Sequence, residues 1–294
     1  MDGIRLYKYH GAGNDFLIRD MITDGSEPSF EHLQTLAPAL CARFTGIGAD
    51  GILVLDRIDG NWRMRVINSD GSSAQMCGNG SRCIARHLFE RHGVRAPKFN
   101  LITGRGTLAI TINSCADRFI DATVDMGAPI LDPQRIPISA NSDCDPLRLS
   151  LPTEYRTPPM PQVIGETFAA VSMGNPHAIF MVNDLTQVNI GSFGPALETA
   201  SIFPQKSNIH FAHVIDPTQA RIVTWERGAG ATLACGTGAC ATLVALNLKG
   251  HLNRSAKIHV PGGTLNIDWR ESDGHVMMTG PAVFIGTFKL GHGL

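Results

Sequence analysis

No apolar stretch of this chain approaches the roughly 20 residues that a bilayer-spanning helix needs, and the N-terminal MDGIRLYKYH lacks the apolar core of a secretion signal. A soluble, cytoplasmic protein is therefore expected. Net charge is nearly absent too. With 25 basic and 26 acidic residues the formal charge is −1, which offers no footprint for nucleic acid or an anionic membrane, so a small molecule is the default partner. The seven cysteines are odd in number, contain no C-x-x-C and are not arranged as a small disulfide scaffold. In a reducing compartment, cysteines at special positions are more often catalytic or metal-binding than bridged. A dinucleotide site is excluded by its order along the chain. Gly46-Ile-Gly48-Ala-Asp-Gly51 matches G-x-G-x-x-G letter for letter, but it precedes the strand-like residues 52–55 instead of following a strand and opening a helix.

What the chain does have is a repeated motif. Residues 76–83 read MCGNGSRC and residues 234–240 read ACGTGAC, with the same Cys-Gly-x-Gly order. The glycines allow close backbone approach to a ligand, and an apolar helical run follows each copy: Ile84, Ala85, Leu88 and Phe89 in one, Leu243, Val244, Leu246 and Leu248 in the other. Each cysteine is thus expected at a helix N-terminus, where unpaired N–H groups and the positive dipole end favour a thiolate and can cradle a carboxylate.

At 294 residues, with 43% hydrophobic content, the chain can bury a sizeable core and is long enough for two domains. Strands are expected over residues 4–9, 52–55, 62–67, 107–112, 120–126, 167–172, 178–182, 208–214, 221–226 and 264–269, with two more within 275–290. Ser29 is a candidate cap for a helix with Phe30, Leu33, Leu36, Leu40 and Phe44 on one face, and residues 237–249 form a helix closed by Gly250. Residues 129–161 are rich in proline, serine and aspartate, which marks the passage between domains, with a short strand at 147–149.

The two halves superpose in sequence. Gly13-Asn14 corresponds to Gly174-Asn175 (174 − 13 = 161), Cys77 to Cys235 (235 − 77 = 158), Gly106 to Gly263 (263 − 106 = 157) and Gly127 to Gly280 (280 − 127 = 153). A common order with a slowly drifting offset indicates duplication. A lone cysteine is more often a small buried hydrophobe than a reactive group; a duplicated one argues for chemistry. A four-thiolate metal site fails on geometry. At about 100° per residue Cys83 points away from Cys77, and Cys240 away from Cys235, so neither pair converges on one ion. Cys83 and Cys240 are read as helix core, and Cys41, Cys115 and Cys144 carry no motif. A redox dithiol needs only one loop with neighbouring cysteines. Two matched anion cradles suit a different task, the exchange of a proton between the two faces of one carbon. One thiolate removes the proton and the opposing thiol returns another. The N–H groups near Gly78, Asn79, Gly236 and Thr237 would hold the carboxylate on that carbon as it gains enolate character. No lysine is flagged for a pyridoxal cofactor, and none is called for.

GAGNDF (11–16), NSDGSSAQMCGNGSRC (68–83), SMGNPH (172–177) and ERGAGATLACGTGAC (226–240) resemble the motifs of the diaminopimelate epimerase family, over nearly the whole chain. The resemblance implies an α+β fold of two pseudo-symmetric domains, each a curved mixed sheet around a central helix, with the active site in the cleft between them. It places the domains at 1–128, joined by a last strand at about 280–294, and at 129–279. It implies Cys77 and Cys235 as the catalytic pair and Gly78, Asn79, Gly236 and Thr237 as the cradle. Asn14, Asn68, Asn175, Asn208, Glu226 and Arg227 would bind substrate, with Arg227 for a carboxylate and Glu226 for an ammonium. His177 stands beside the centre, either tuning a thiol or satisfying a buried hydrogen bond. The implied activity is epimerisation of L,L-2,6-diaminopimelate to the meso isomer, for lysine and peptidoglycan precursors, without cofactor or metal and as a homodimer. A related racemase of another amino acid and a non-catalytic thiol sensor are the alternatives. Ala231 replaces the family's usual glutamate, and Gly51 stands where many members carry glutamine.

Overall fold

The computed structural model describes residues 4–115, 118–139 and 144–291; part of the expected inter-domain passage, 140–143, lies outside them. The chain divides into two compact units, Met1–Asp125 with Thr279–Leu294, and Met126–Met278. Among the described residues no helix is long and apolar enough to cross a membrane.

The first unit contains β1 (Arg5–Gly11), β2 (Asn14–Asp20), α1 (Phe30–Cys41), β3 (Gly51–Ile58), β4 (Asn61–Asn68), β5 (Ser73–Ala74), α2 (Gly78–Arg91), β6 (Lys98–Thr103), β7 (Gly106–Cys115) and β8 (Arg118–Asp125). β1 and β2 form a hairpin, β2 runs parallel to β3, β3 returns along β4, β4 lies parallel to β6, and β6 turns into β7. β7 pairs with β8. Ile52, Leu53, Val54 and Leu55 are all fully buried because β3 is covered on both faces. Ile52 and Val54 pack with Leu33, Ala37 and Leu40 of α1, while Leu53 faces Gly80 of α2. Ser29 caps α1 as its sequence suggests. Phe44 does not join that helix face: α1 ends at Cys41 and Phe44 is fully exposed.

The second unit contains β9 (Leu149–Ser150), α3 (Met160–Ile164), β10 (Thr167–Ser172), β11 (Pro176–Met181), α4 (Ile190–Glu198), β12 (Asn208–Asp216), β13 (Gln219–Glu226), β14 (Gly230–Thr232), α5 (Gly236–Leu248), β15 (Ser255–Val260), β16 (Gly263–Trp269) and the start of β17 (Val276–Gly280), whose last two residues belong to the first unit. The final strand of the chain, β18 (Val283–Lys289), returns to the first unit and pairs with β1. The pairing order repeats that of the first unit: β10 antiparallel to β11, β11 parallel to β12, β12 antiparallel to β13, β13 parallel to β15, β15 antiparallel to β16. Even the short strands recur, β5 on β4 and β14 on β13. The duplication seen in the motifs therefore extends to topology. Gly13 and Gly174 take φ of 85° and 91° in equivalent hairpin turns, a region closed to most side chains. One face of this sheet closes over Phe168, Phe180, Phe211, Phe193 and Leu197, with Phe168 stacked on Phe180 at 4.9 Å. α5 is buried around nearly its whole girth, which makes it the unit's central helix; Leu248 at its end is exposed.

Candidate active site

Both cysteines occupy the position their motifs predict. Cys77 is the N-cap of α2 and Cys235 the N-cap of α5, each with extended backbone before the helix turns. Their surroundings differ.

In the first unit Cys77 is partly exposed. Its sulfur accepts the Gly80 N–H at 3.4 Å, closing the first helical turn as a serine cap would. Its thiol is directed at Asn14 Oδ1, 3.9 Å away, and the same oxygen accepts from Asn79 Nδ2 at 3.0 Å. Asn79 Oδ1 in turn accepts from buried Arg82 at 2.9 Å. The other end of Asn14 donates to Asp50 Oδ2 at 2.6 Å, and Asp50 is held by Arg43 at 2.6 Å. Asn14, Cys77, Gly78 and Asn79 are thus brought together, with both amides of fixed sense. Asn68 is placed differently: its amide donates to Ser72 Oγ at 2.9 Å, at the end of β4. Asp50 was not singled out from sequence. It lies in the glycine-rich run that mimics a dinucleotide motif, and it clamps the turn that presents Asn14. Gly51 lies against the Ile67 carbonyl of the neighbouring strand, which leaves no room for any side chain.

In the second unit Cys235 is buried, only 3% exposed. The Thr237 hydroxyl is 3.6 Å from its sulfur, and the Gly238 N–H acts on the same sulfur. Burial first, then the Glu226 carboxylate, push its thiol well above the ordinary range, and the Thr237 hydroxyl pulling the other way is outweighed. Burial beside a carboxylate therefore works against the thiolate that a helix N-terminus favours. Glu226 is oriented by Thr232, whose hydroxyl donates to Oε1 at 2.6 Å. Ala231, the departure from the usual glutamate, leaves β14 intact, paired with Trp225. Asn208 is buried, donating to the Pro176 carbonyl at 2.8 Å and accepting the Arg227 N–H at 3.0 Å. It therefore braces the turn that carries Arg227. The Arg227 side chain is exposed and reaches the Gln205 carbonyl at 3.0 Å. Glu198 supports the same turn, accepting Trp225 Nε1 at 2.7 Å and the Gly228 N–H at 3.2 Å. No spacing rule links residue 198 to that turn, so sequence reasoning missed it.

Two clusters have the composition of a metal site: His177, His210 and Cys235 in the second unit, and Asp20, His87 and His92 in the first. In the former the two imidazoles are engaged by each other, and in the latter the carboxylate is engaged by both imidazoles. His177 Nδ1 and His210 Nε2 are 2.8 Å apart. Asp20 Oδ2 meets His87 Nε2 at 3.1 Å and His92 Nε2 at 2.7 Å. Burial works to raise the Asp20 carboxyl, but these hydrogen bonds outweigh it and hold it far below the usual range. Cys83 and Cys240 are fully buried in α2 and α5, and burial pushes the Cys83 thiol up to about 12. They are helix core.

The architecture is shared with solved structures at identities that speak to fold alone. A phenazine biosynthesis protein of the PhzF family from Enterococcus faecalis matches with a TM-score of 0.70 and 13% identity, over 99% of each chain. A hydroxyproline epimerase from Agrobacterium vitis, solved with trans-4-hydroxy-L-proline, matches with a TM-score of 0.66 and 15% identity, over 99% of this chain and 91% of that one. The fold is thus a sheet-dominated α+β fold of the type found in those two-domain proteins, carrying a helix-capping cysteine in each repeat. The relation in sequence is closer. The family model described as diaminopimelate epimerase matches residues 6–131 and 169–285. The diaminopimelate epimerases of Carboxydothermus hydrogenoformans and Synechococcus elongatus are 40% and 42% identical, over 96% and 98% of this chain and 98% and 99% of theirs. The chain belongs to the diaminopimelate epimerase family, a family of isomerases.

Proposed function

We propose that this chain interconverts L,L-2,6-diaminopimelate and its meso isomer by proton transfer between two thiols, Cys77 and Cys235, acting on opposite faces of the α-carbon. The observation that carries the reading is the repeated placement of a cysteine at the N-cap of a central helix in two halves of one family fold. A thiolate takes the α-proton, the second thiol delivers its own to the other face, and the sulfurs finish with exchanged protonation states. The N–H groups at the starts of α2 and α5, at Gly78, Asn79, Gly236 and Thr237, receive the α-carboxylate as negative charge builds on it. The raised thiol of Cys235 suits it to rest as the acid. Arg227 and Glu226 take the distal carboxylate and ammonium, with Asn14, Asn68, Asn175 and Asn208 as the polar lining. The residues invoked supply all the acid–base chemistry, so the reading calls for no cofactor.

The finer readings are a cytoplasmic enzyme of lysine and peptidoglycan precursor synthesis, and a homodimer. β18 supports the latter by exposing Val283 and Ile285, a surface suited to a partner. Sedimentation at several concentrations checks it. The activity is tested by incubating the purified chain, with nothing added, with each isomer and following the stereoisomers by chiral chromatography. Both directions should reach the same mixture. Equal turnover of lysine or histidine would transfer the reading to a broader racemase, and inactivity towards every amino acid to a thiol sensor.

A further inference from the structure

Behind Cys235 runs a continuous line of side chains that joins Thr237 and Asn175 to two buried histidines. Thr224 Oγ1 is 2.9 Å from His210 Nδ1; His210 Nε2 is 2.8 Å from His177 Nδ1; His177 Nε2 is 3.0 Å from Asn175 Oδ1. Asn175 Nδ2 then reaches Thr237 Oγ1 at 3.5 Å, and Thr237 Oγ1 lies 3.6 Å from Cys235 Sγ. All six residues lie within the second unit.

We propose that His210 is a positioning residue of this site: it sets the direction of the whole chain, so that the Thr237 hydroxyl ends by donating to the Cys235 sulfur. The direction follows from what each atom can do. An amide oxygen only accepts, so His177 Nε2 carries the proton facing Asn175. Two imidazole nitrogens 2.8 Å apart share one proton. With His177 neutral, that proton belongs to His210 Nε2, and His210 Nδ1 accepts from the Thr224 hydroxyl. Both rings are completely buried, which disfavours an imidazolium in either. At the far end Asn175 spends an N–H on Thr237, leaving the Thr237 proton for sulfur. Removing the His210 donor leaves His177 Nδ1 facing nothing and frees the Asn175 amide to turn over. Thr237 would then donate to the amide oxygen instead of to Cys235.

His210 is also locked in place sterically. Its ring rests on the first turn of α5, where a methyl group at Gly238 would collide with it. The counterpart contact in the first unit, at Gly80, is made by Leu53, which has no hydrogen bond to give. The chain is thus a property of one half only.

The inference takes its catalytic meaning from the two-thiol reading, but its tests do not depend on turnover. Imidazole nitrogen NMR of the unmodified protein at neutral pH should find His177 and His210 both neutral and both protonated on Nε2; a proton on His177 Nδ1, or an imidazolium at either ring, overturns the assignment. Alkylation rates at a fixed pH, resolved by peptide mapping, give the second test. His210→Leu should slow Cys235 about tenfold, the low end for a lost hydrogen bond to a charged group, and leave Cys77 unchanged. His210→Gln, which keeps an N–H donor, should restore the rate. An unchanged Cys235 in folded His210→Leu, or equal slowing in His210→Gln, contradicts the proposal. Should His210→Leu not fold, the NMR result on the unmodified chain decides. A wild type with the stated tautomers but no epimerase activity would sink the function and leave the chain standing.

Discussion

The two halves of this molecule share one backbone plan and differ in what they do to a thiol. Cys77 and Cys235 cap equivalent helices, preceded by equivalent short strands. Yet Cys77 is partly exposed, closes its helix with its own sulfur and sits against an asparagine clamped by Asp50 and Arg43. Cys235 is buried beside a carboxylate at the end of a histidine-based chain. Duplication fixes where each sulfur stands, and the neighbouring side chains give the two thiols different surroundings.

The largest effects come from removing either member of the comparison. Cys77→Ala and Cys235→Ala should each lower epimerisation by about 10²- to 10⁴-fold or more, the range for losing a general acid or base. Far-ultraviolet circular dichroism should be unchanged in both. A folded single variant with wild-type turnover would show that one thiol suffices.

Next in size is Arg227→Met. Losing one partner of a desolvated charged contact costs from about 2 kcal/mol upward, so KM for diaminopimelate should rise at least about 30-fold. The exposed guanidinium makes one contact with the Gln205 carbonyl, so the midpoint of thermal unfolding should barely move. A large loss of stability with unchanged KM would make Arg227 a structural residue.

A pair of glycines sharpens the contrast further. Gly80→Ala places a methyl group 2.9 Å from the end of the Leu53 side chain, which can rotate away, and alanine favours the helix, so the change should be close to neutral. Gly238→Ala drives the same methyl into the His210 ring, which is tethered at both nitrogens, and should cost about 1–3 kcal/mol in denaturant unfolding. Equal costs would mean that His210 is not locked.

The pattern around the cysteines was legible because glycines and N-caps act locally. So were most strands, through alternation, and the duplication, through landmarks in a common order. The histidine chain was not. His210 looks like any polar residue of a half-buried strand, and its partners lie 14 and 33 positions away, meeting it only when β11, β12 and β13 pair. Asp50 was hidden by a coincidental motif. Phe44 misled because helix periodicity was extended past a turn in which Gly46 must lie against the carbonyls of Ala39 and Leu40. The surroundings of Cys235 were not legible either, because a helix start can be read from sequence, whereas burial beside Glu226 cannot.

The two units also differ in acid stability. Burial lowers the pKa of His87 in the first unit, and of His177 and His210 in the second, the last to about 3. Below about pH 6.5 an unfolded histidine gains a proton that these buried rings refuse, so stability is full above that pH and falls as pH drops, by up to about 1.4 kcal/mol per pH unit for each such group. Asp20 acts in the same sense at lower pH: its depressed pKa contributes stability that is present above the ordinary carboxylate range and lost as pH falls through it. Between pH 6.5 and 5, amide protection, measured against the intrinsic exchange rate at each pH, should therefore fall more in β11 and β12 than in β1 and β2. The reverse order would misplace the neutral imidazoles.

The most direct test of two thiols acting on one carbon is where solvent hydrogen appears early in the reaction. L,L-diaminopimelate is incubated with the wild-type chain in deuterated water and quenched at low conversion, and each isomer is recovered. If one sulfur removes the α-proton and the other delivers a solvent-exchanged deuteron, the meso product carries deuterium at the inverted carbon while the remaining L,L substrate carries almost none. Product that retains the original hydrogen, or substrate labelled as fast as product forms, would mean that a single base works both faces and that the account is wrong.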